Sequence, residues 1–218
     1  MRLASTLVLV VVVLGLGQLL LQGMLVLAVA LRAGATGEST SDAIRVVTTE
    51  PLALGVAQLI GLGAVIFLGW RVLHPERPLS DAVGLPPGAI VSWRALALSF
   101  VAGLALQLPL VELMNGLADL LPSLARDPVR DELIRAAVRI DGPVRAFSVP
   151  FAVVLVPAVT EELLFRGIVL GRLRELTSLP AAVVLVALLF GAFHLEPLAF
   201  VYATLAGLVL GTLTAHAP

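Results

Sequence analysis

The chain has 218 residues, 59% of them hydrophobic and 13% charged, about half the charged share of a soluble globular domain. So few charges cannot cover a soluble fold of this size, and 14 basic against 15 acidic residues leave no positive field for nucleic acid. Every basic residue is Arg and there is no Cys, which excludes lysine chemistry, disulfides and thiolate sites.

Residues 3–31 form a 29-residue uncharged run. The apolar core of a secretory signal has about 7–15 residues, whereas roughly 20 cross a bilayer and 29 cross it with tilt. A retained transmembrane helix is expected. Residues 32–51 are polar and rich in Gly, Ser and Thr, and read as an exposed loop. Residues 52–72 form a second span, whose Gly55, Gly61, Gly63 and Gly69 allow close helix approach and whose Trp70 and Arg71 make an interfacial anchor. The Pro-rich stretch 74–88 does not cross the membrane. A third span covers 95–114, with Gln107, Pro109 and Glu112 expected to face other helices.

Charge density rises over residues 119–145. There Val129, Leu133, Ala136, Ala137 and Ile140 recur at helical spacing, with Arg130, Asp131, Arg135 and Arg139 on other faces. That is an amphipathic helix suited to the membrane surface, although a core-facing helix of a soluble insert has the same pattern. Three more apolar runs follow at 146–171, 179–194 and 198–214, the second only 16 residues long. The expected fold is all-α: a polytopic integral membrane helix bundle of about six transmembrane helices plus one interfacial helix. Residues 1–145 form its N-terminal part, and residues 146–218 carry the motifs described next. Arg71, Arg77 and Arg94 flank one connection and Arg166, Arg172 and Arg174 another, which places both on the cytoplasmic side with the termini inside. Five Arg between 126 and 145 fall on the opposite side, against that rule.

Thr160-Glu161-Glu162-Leu163-Leu164-Phe165-Arg166-Gly167 sets two carboxylates and a guanidinium in an apolar run. Glu162 and Arg166 are four apart and stack on one helical face. Glu161 lies about 100° around the helix from Glu162, which leaves it available for proton transfer or metal ligation. Two placements are open. The charges close a helix end in water, or they lie at membrane depth, where a carboxylate is costly and kept for function. Phe190-Gly191-Ala192-Phe193-His194 ends the fifth span, with Phe190 and His194 on one face. His194 fits proton exchange or metal binding, and equally an interfacial His before Glu196-Pro197.

Glu161-Glu162-x-x-x-Arg166-Gly167 followed by Phe190-x-x-x-His194 resembles the CPBP family of intramembrane proteases. That family includes type II CAAX prenyl endopeptidases and bacterial enzymes linked to bacteriocin processing and self-immunity. The resemblance covers about residues 146–213, including the 33-residue separation of Glu161 and His194. It implies an endopeptidase cleaving near the C-terminus of a membrane-associated peptide or protein, in a multi-pass protein of the cell (inner) membrane. Glu161 would activate water, and His194 would hold that water or pass its proton, in a cavity the two share. Glu162 and Arg166 would fix the motif helix, with Phe190 in support. Family members are described both as glutamic and as metalloproteases. The implied cofactor is therefore none, or a divalent metal such as zinc with Glu161 and His194 as candidate ligands. The implied partners are the lipid bilayer and a peptide or protein substrate. The family's third motif, His-x-x-x-Asn or His-x-x-x-Asp, has no full counterpart: residues 200–212 resemble its penultimate conserved helix, and His216-Ala217-Pro218 follow. A span rising about 1.5 Å per residue puts His216 at the opposite end from His194 and outside the catalytic site, which predicts weak or no hydrolysis without an added helix or partner. Glu112 and Asn115 are other possible donors of contacts. Two different functions compete: a catalytically inactive scaffold or immunity protein that binds membrane partners, and a small transporter using Glu161 as proton carrier.

Overall fold

The apolar runs become helices, and all regular structure in the described residues is helical. The computed structural model describes residues 2–83, 93–121 and 128–216, without the side chains of 93–100, 102, 104, 129, 130, 215 and 216. Helix α1, Leu3–Thr36, runs five residues past the expected end of the first span. Gly37 closes it with φ 71° and an N–H bonded to Ala33 O, a left-handed conformation that glycine adopts without steric cost.

The loop expected over 32–51 is a correction. Residues Thr40–Thr49 form helix α2. Ser39 caps it, its Oγ accepting the Asp42 N–H at 3.2 Å, while Ala43 and Val47, one turn apart, are buried. Thr and Gly lower intrinsic helix preference, but two small apolar residues at i and i+4 give the segment a face to bury.

Helix α3, Pro51–Leu73, starts with Pro at its first position, where the missing N–H costs nothing. A Cβ on Gly55 would lie 2.6 Å from Ala152 Cβ, and one on Gly61 3.3 Å from Leu21 Cβ, so both permit close helix approach; Gly63 faces open space. Helices α4, Leu79–Ala82, and α5, Trp93–Leu120, follow. On α5 the packed face carries Leu110 and Met114. Gln107 meets a neighbour as expected, accepting the Tyr202 hydroxyl at 2.6 Å. Glu112, expected to face other helices, is exposed, as is Asn115. Helix α6, Pro128–Val138, is the expected amphipathic helix and packs on α2. Ile140, assigned to its apolar stripe, lies past its end and is exposed.

The remaining helical backbone comprises α7, Pro143–Val149; a π-helical stretch, Pro150–Leu155; α8, Val156–Glu162; a second π-helical stretch, Leu163–Val169; and α9, Leu170–Arg174. Helices α10, Leu179–Phe193, and α11, Pro197–His216, complete the chain. Two compact units arise, residues 1–75 with 126–164, and residues 76–125 with 165–218. In the first, α3 packs on α1 and on the 143–162 segments, around Val10, Leu14, Val65, Ala152 and Val156. In the second, α10 and α11 form an antiparallel pair over Phe165, Ile168, Leu173, Val186 and Ala203.

Three helices are each long and apolar enough to cross a membrane: Leu3–Thr36, Pro51–Leu73 and Pro197–Thr214. They match the first, second and sixth expected spans. The third lies within α5, part of whose side chains are not described, and the fourth is divided among the segments of 143–174. The fifth, α10, has 15 residues. Exposed Val8, Leu19, Val26, Leu108 and Leu213 suit a hydrocarbon surround and not water. This is an integral membrane bundle.

Candidate active site

The two acids are set by proline. Pro157 has no N–H to return to the preceding turn, a loss that ordinary α-helix tolerates poorly. The π-helical stretch just before it shifts bonding to the i→i+5 donor. Thr160 Oγ1 then donates to Val156 O at 2.7 Å and to Pro157 O at 3.1 Å. Glu161 and Glu162 follow, both half-buried, as the last two residues of α8.

Arg166 sits in the second π-helical stretch and is 7% exposed. The expected Glu162–Arg166 stacking assumed an α-helical register. In the i→i+5 register of Leu163–Val169, residues five apart also approach one face. Spacing alone therefore separates the two acids less sharply than the α-register suggests.

Around Phe190 the second unit builds a polar and aromatic cluster. The Arg166 guanidinium carbon lies 4.5 Å from the Phe190 ring centroid, where the ring's negative face attracts a cation. Phe165, fully buried, meets Phe190 edge-on at 5.0 Å and Phe193 at 5.6 Å. His194 stands perpendicular to Phe190 at 5.0 Å. Its Nδ1 lies 2.9 Å from Phe190 O. A carbonyl oxygen only accepts, so Nδ1 carries the hydrogen and Nε2 of the neutral ring carries the lone pair. The helix that bears His194 thereby selects its tautomer.

The chain turns sharply after this residue. Leu195 has φ 56°, a left-handed conformation costly for a branched side chain. Glu196 secures the turn, its carboxylate accepting the Leu198 N–H at 3.1 Å and the Ala199 N–H at 2.6 Å at the start of α11.

The structure thus brings together Arg166, Phe190 and His194, and places Glu161 and Glu162 on α8 in the first unit. Phe165 and Phe193 were missed by sequence reasoning, although an aromatic beside Arg166 and another beside His194 were the available signal. The α11 backbone extends through His216, whose side chain lies outside the described residues. Among the described residues no three His, Cys, Asp or Glu side chains are gathered as a metal site. A catalytic zinc takes three protein ligands, so this donor set does not form one by itself.

Residues 143–217 match a family model described as type II CAAX prenyl endopeptidase Rce1-like. The match covers 75 of the 218 residues. The matched region holds Glu161, Glu162, Arg166, Phe190 and His194 together. No curated protein and no solved structure matches the chain.

Proposed function

We propose that this Rce1-like chain hydrolyses a peptide bond near the C-terminus of a membrane-associated peptide or protein, at the cell (inner) membrane. Glu161 takes a proton from water as the water oxygen attacks the scissile carbonyl. His194 holds that water through Nε2, then accepts the proton from the Glu161 carboxyl there and gives it to the leaving amine nitrogen as the C–N bond of the tetrahedral intermediate breaks. Glu162 and Arg166 fix the helix, and Phe190 seats both the guanidinium and the imidazole.

One observation carries this reading: the Nδ1 contact to Phe190 O, which leaves Nε2 of the neutral His194 ring as an acceptor, on the same Phe190 that the buried Arg166 contacts, in the Rce1-like region. Peptide hydrolysis needs a base for water and a donor for the amine, and a carboxylate with a neutral imidazole supplies both.

The test separates the acids. Removal of a general base costs about 10²–10⁴-fold, so Glu161→Gln should lose cleavage to that extent while remaining folded and inserted. Glu162→Gln should instead lower detergent stability by a few kcal/mol if Glu162 pairs with the buried Arg166, since breaking one side of a buried ion pair costs on the order of 3–5 kcal/mol. Equal cleavage by wild type and Glu161→Gln would assign the base elsewhere. A wild type that binds membrane peptides and leaves them intact would favour the scaffold.

A further inference from the structure

We infer that residues 76–83 form a strap that positions the turn carrying Phe165 and Arg166. The strap is anchored twice, by different physical means. At one end its backbone crosses Gly167, the residue after Arg166. A Cβ there would lie 2.7 Å from Val83 Cα and 2.9 Å from Val83 O, closer than real Cβ atoms approach backbone. At the other end Arg77 bonds Glu175 at 2.7 Å, and Arg172 bonds the same carboxylate at 2.6 Å. Glu175 therefore ties the strap to the last turn of α9. Between the anchors, α4 buries Ala82.

The lengths agree. Eight residues of helix from Gly167 to Glu175 rise about 12 Å, which the six residues from Val83 back to Arg77 span in the opposite direction. An exposed ion pair by itself holds little. Here it acts with a backbone contact one residue from Arg166, and the two together oppose movement of the turn across and along the helix axis. Burial alone would raise the Glu175 carboxyl, but the Arg172 hydrogen bond and the charges of Arg77 and Arg172 outweigh it and hold the group below its ordinary range. Gly167 in the motif is thus a positioning residue, as are Arg77 and Glu175.

This inference rests on the proposed protease reading for its catalytic arm only. The chain has no Cys, so spin labels on Glu76→Cys and Arg174→Cys, both exposed sites, report the strap alone. In detergent-solubilised full-length protein, dipolar broadening between the labels should be strong. It should be lost in Arg77→Gln and in Gly167→Ala, and retained in Arg77→Lys. Broadening unchanged in both variants overturns the strap, whatever the activity. On a quenched-fluorescent membrane-anchored peptide that wild type cleaves, Arg77→Gln should lower kcat on the order of tenfold with KM unchanged, less than the about 10²-fold that a full 1 Å misplacement costs. Arg77→Lys should restore it. Lost broadening with unchanged kcat overturns the positioning role, whereas a wild type that cleaves nothing overturns the protease reading and leaves the strap to the spin labels.

Discussion

Phe190 links the two polar side chains that the second unit contributes to the site. One ring accepts the Arg166 cation on its face and the His194 imidazole edge-on, with Phe165 packed against it. The i, i+4 relation of Phe190 and His194 was legible because α10 is regular up to its end. The seat of Arg166 was not, because the α-register that linked it to Glu162 gives way to a π-helical stretch at Leu163. Loss of the ring should show. Phe190→Leu retains an apolar group but removes the aromatic contacts, each worth about 0.5–1.5 kcal/mol, and the cation contact of similar size. A drop of about 1–3 kcal/mol in stability is expected by thermal unfolding in detergent. It should be accompanied by lower kcat as His194 loses its fixed orientation. Unchanged stability would mean that Leu supports Arg166 equally well and that the ring is not what holds it.

At the scale of elements, apolar periodicity located the long helices, whereas short elements held by tertiary contacts were invisible. Helix α2 is the clearest case, since its two buried residues fall in a stretch otherwise made of Thr, Ser, Asp and Arg with the exposed Ile44 and Val46. Its C-terminus is tied down by a side chain 96 positions away, which no local pattern reveals. Arg145 donates to Thr49 O at 3.4 Å, and also to Ala136 O at 2.8 Å, Ala137 O at 3.0 Å and Arg139 O at 2.8 Å. One guanidinium thus serves carbonyls at the C-termini of α2 and α6, where helices leave acceptors unmet and cations are favoured. Arg145→Ala should cost on the order of 2–3 kcal/mol, because charge-assisted hydrogen bonds contribute more than neutral ones. Arg145→Lys should recover part of it, having fewer donors and no fork. Full stability in the alanine variant would reduce Arg145 to a solvated charge.

For the whole molecule, Arg counting placed two connections on one membrane side, and in the second unit Arg77 bonds Glu175 at 2.7 Å, an arrangement compatible with that placement. Five Arg between 126 and 145 opposed the counting rule, and two of them, Arg139 and Arg145, have described surroundings that bear on it. Arg145 is occupied by backbone carbonyls, Arg139 lies 3.7 Å from Asp141, and Asp131 and Glu132 add negative charge on α6. The rule concerns cations that resist translocation, and these two Arg have local partners. In the first unit, Arg45 bonds Glu132 at 3.3 Å, so the α2 region shares a side with α6. Helix α3 is long enough to cross the membrane between the α2 region and residues 76–83. Single cysteines in this Cys-free chain test the arrangement. Ser41→Cys and Glu132→Cys should react with a membrane-impermeant maleimide from one side in oriented vesicles, and Glu76→Cys and Arg174→Cys from the other. All four positions are exposed and polar, so substitution should leave packing intact. Labelling of Ser41→Cys and Glu76→Cys from the same side would mean that α3 does not cross, and the topology built on it would fall.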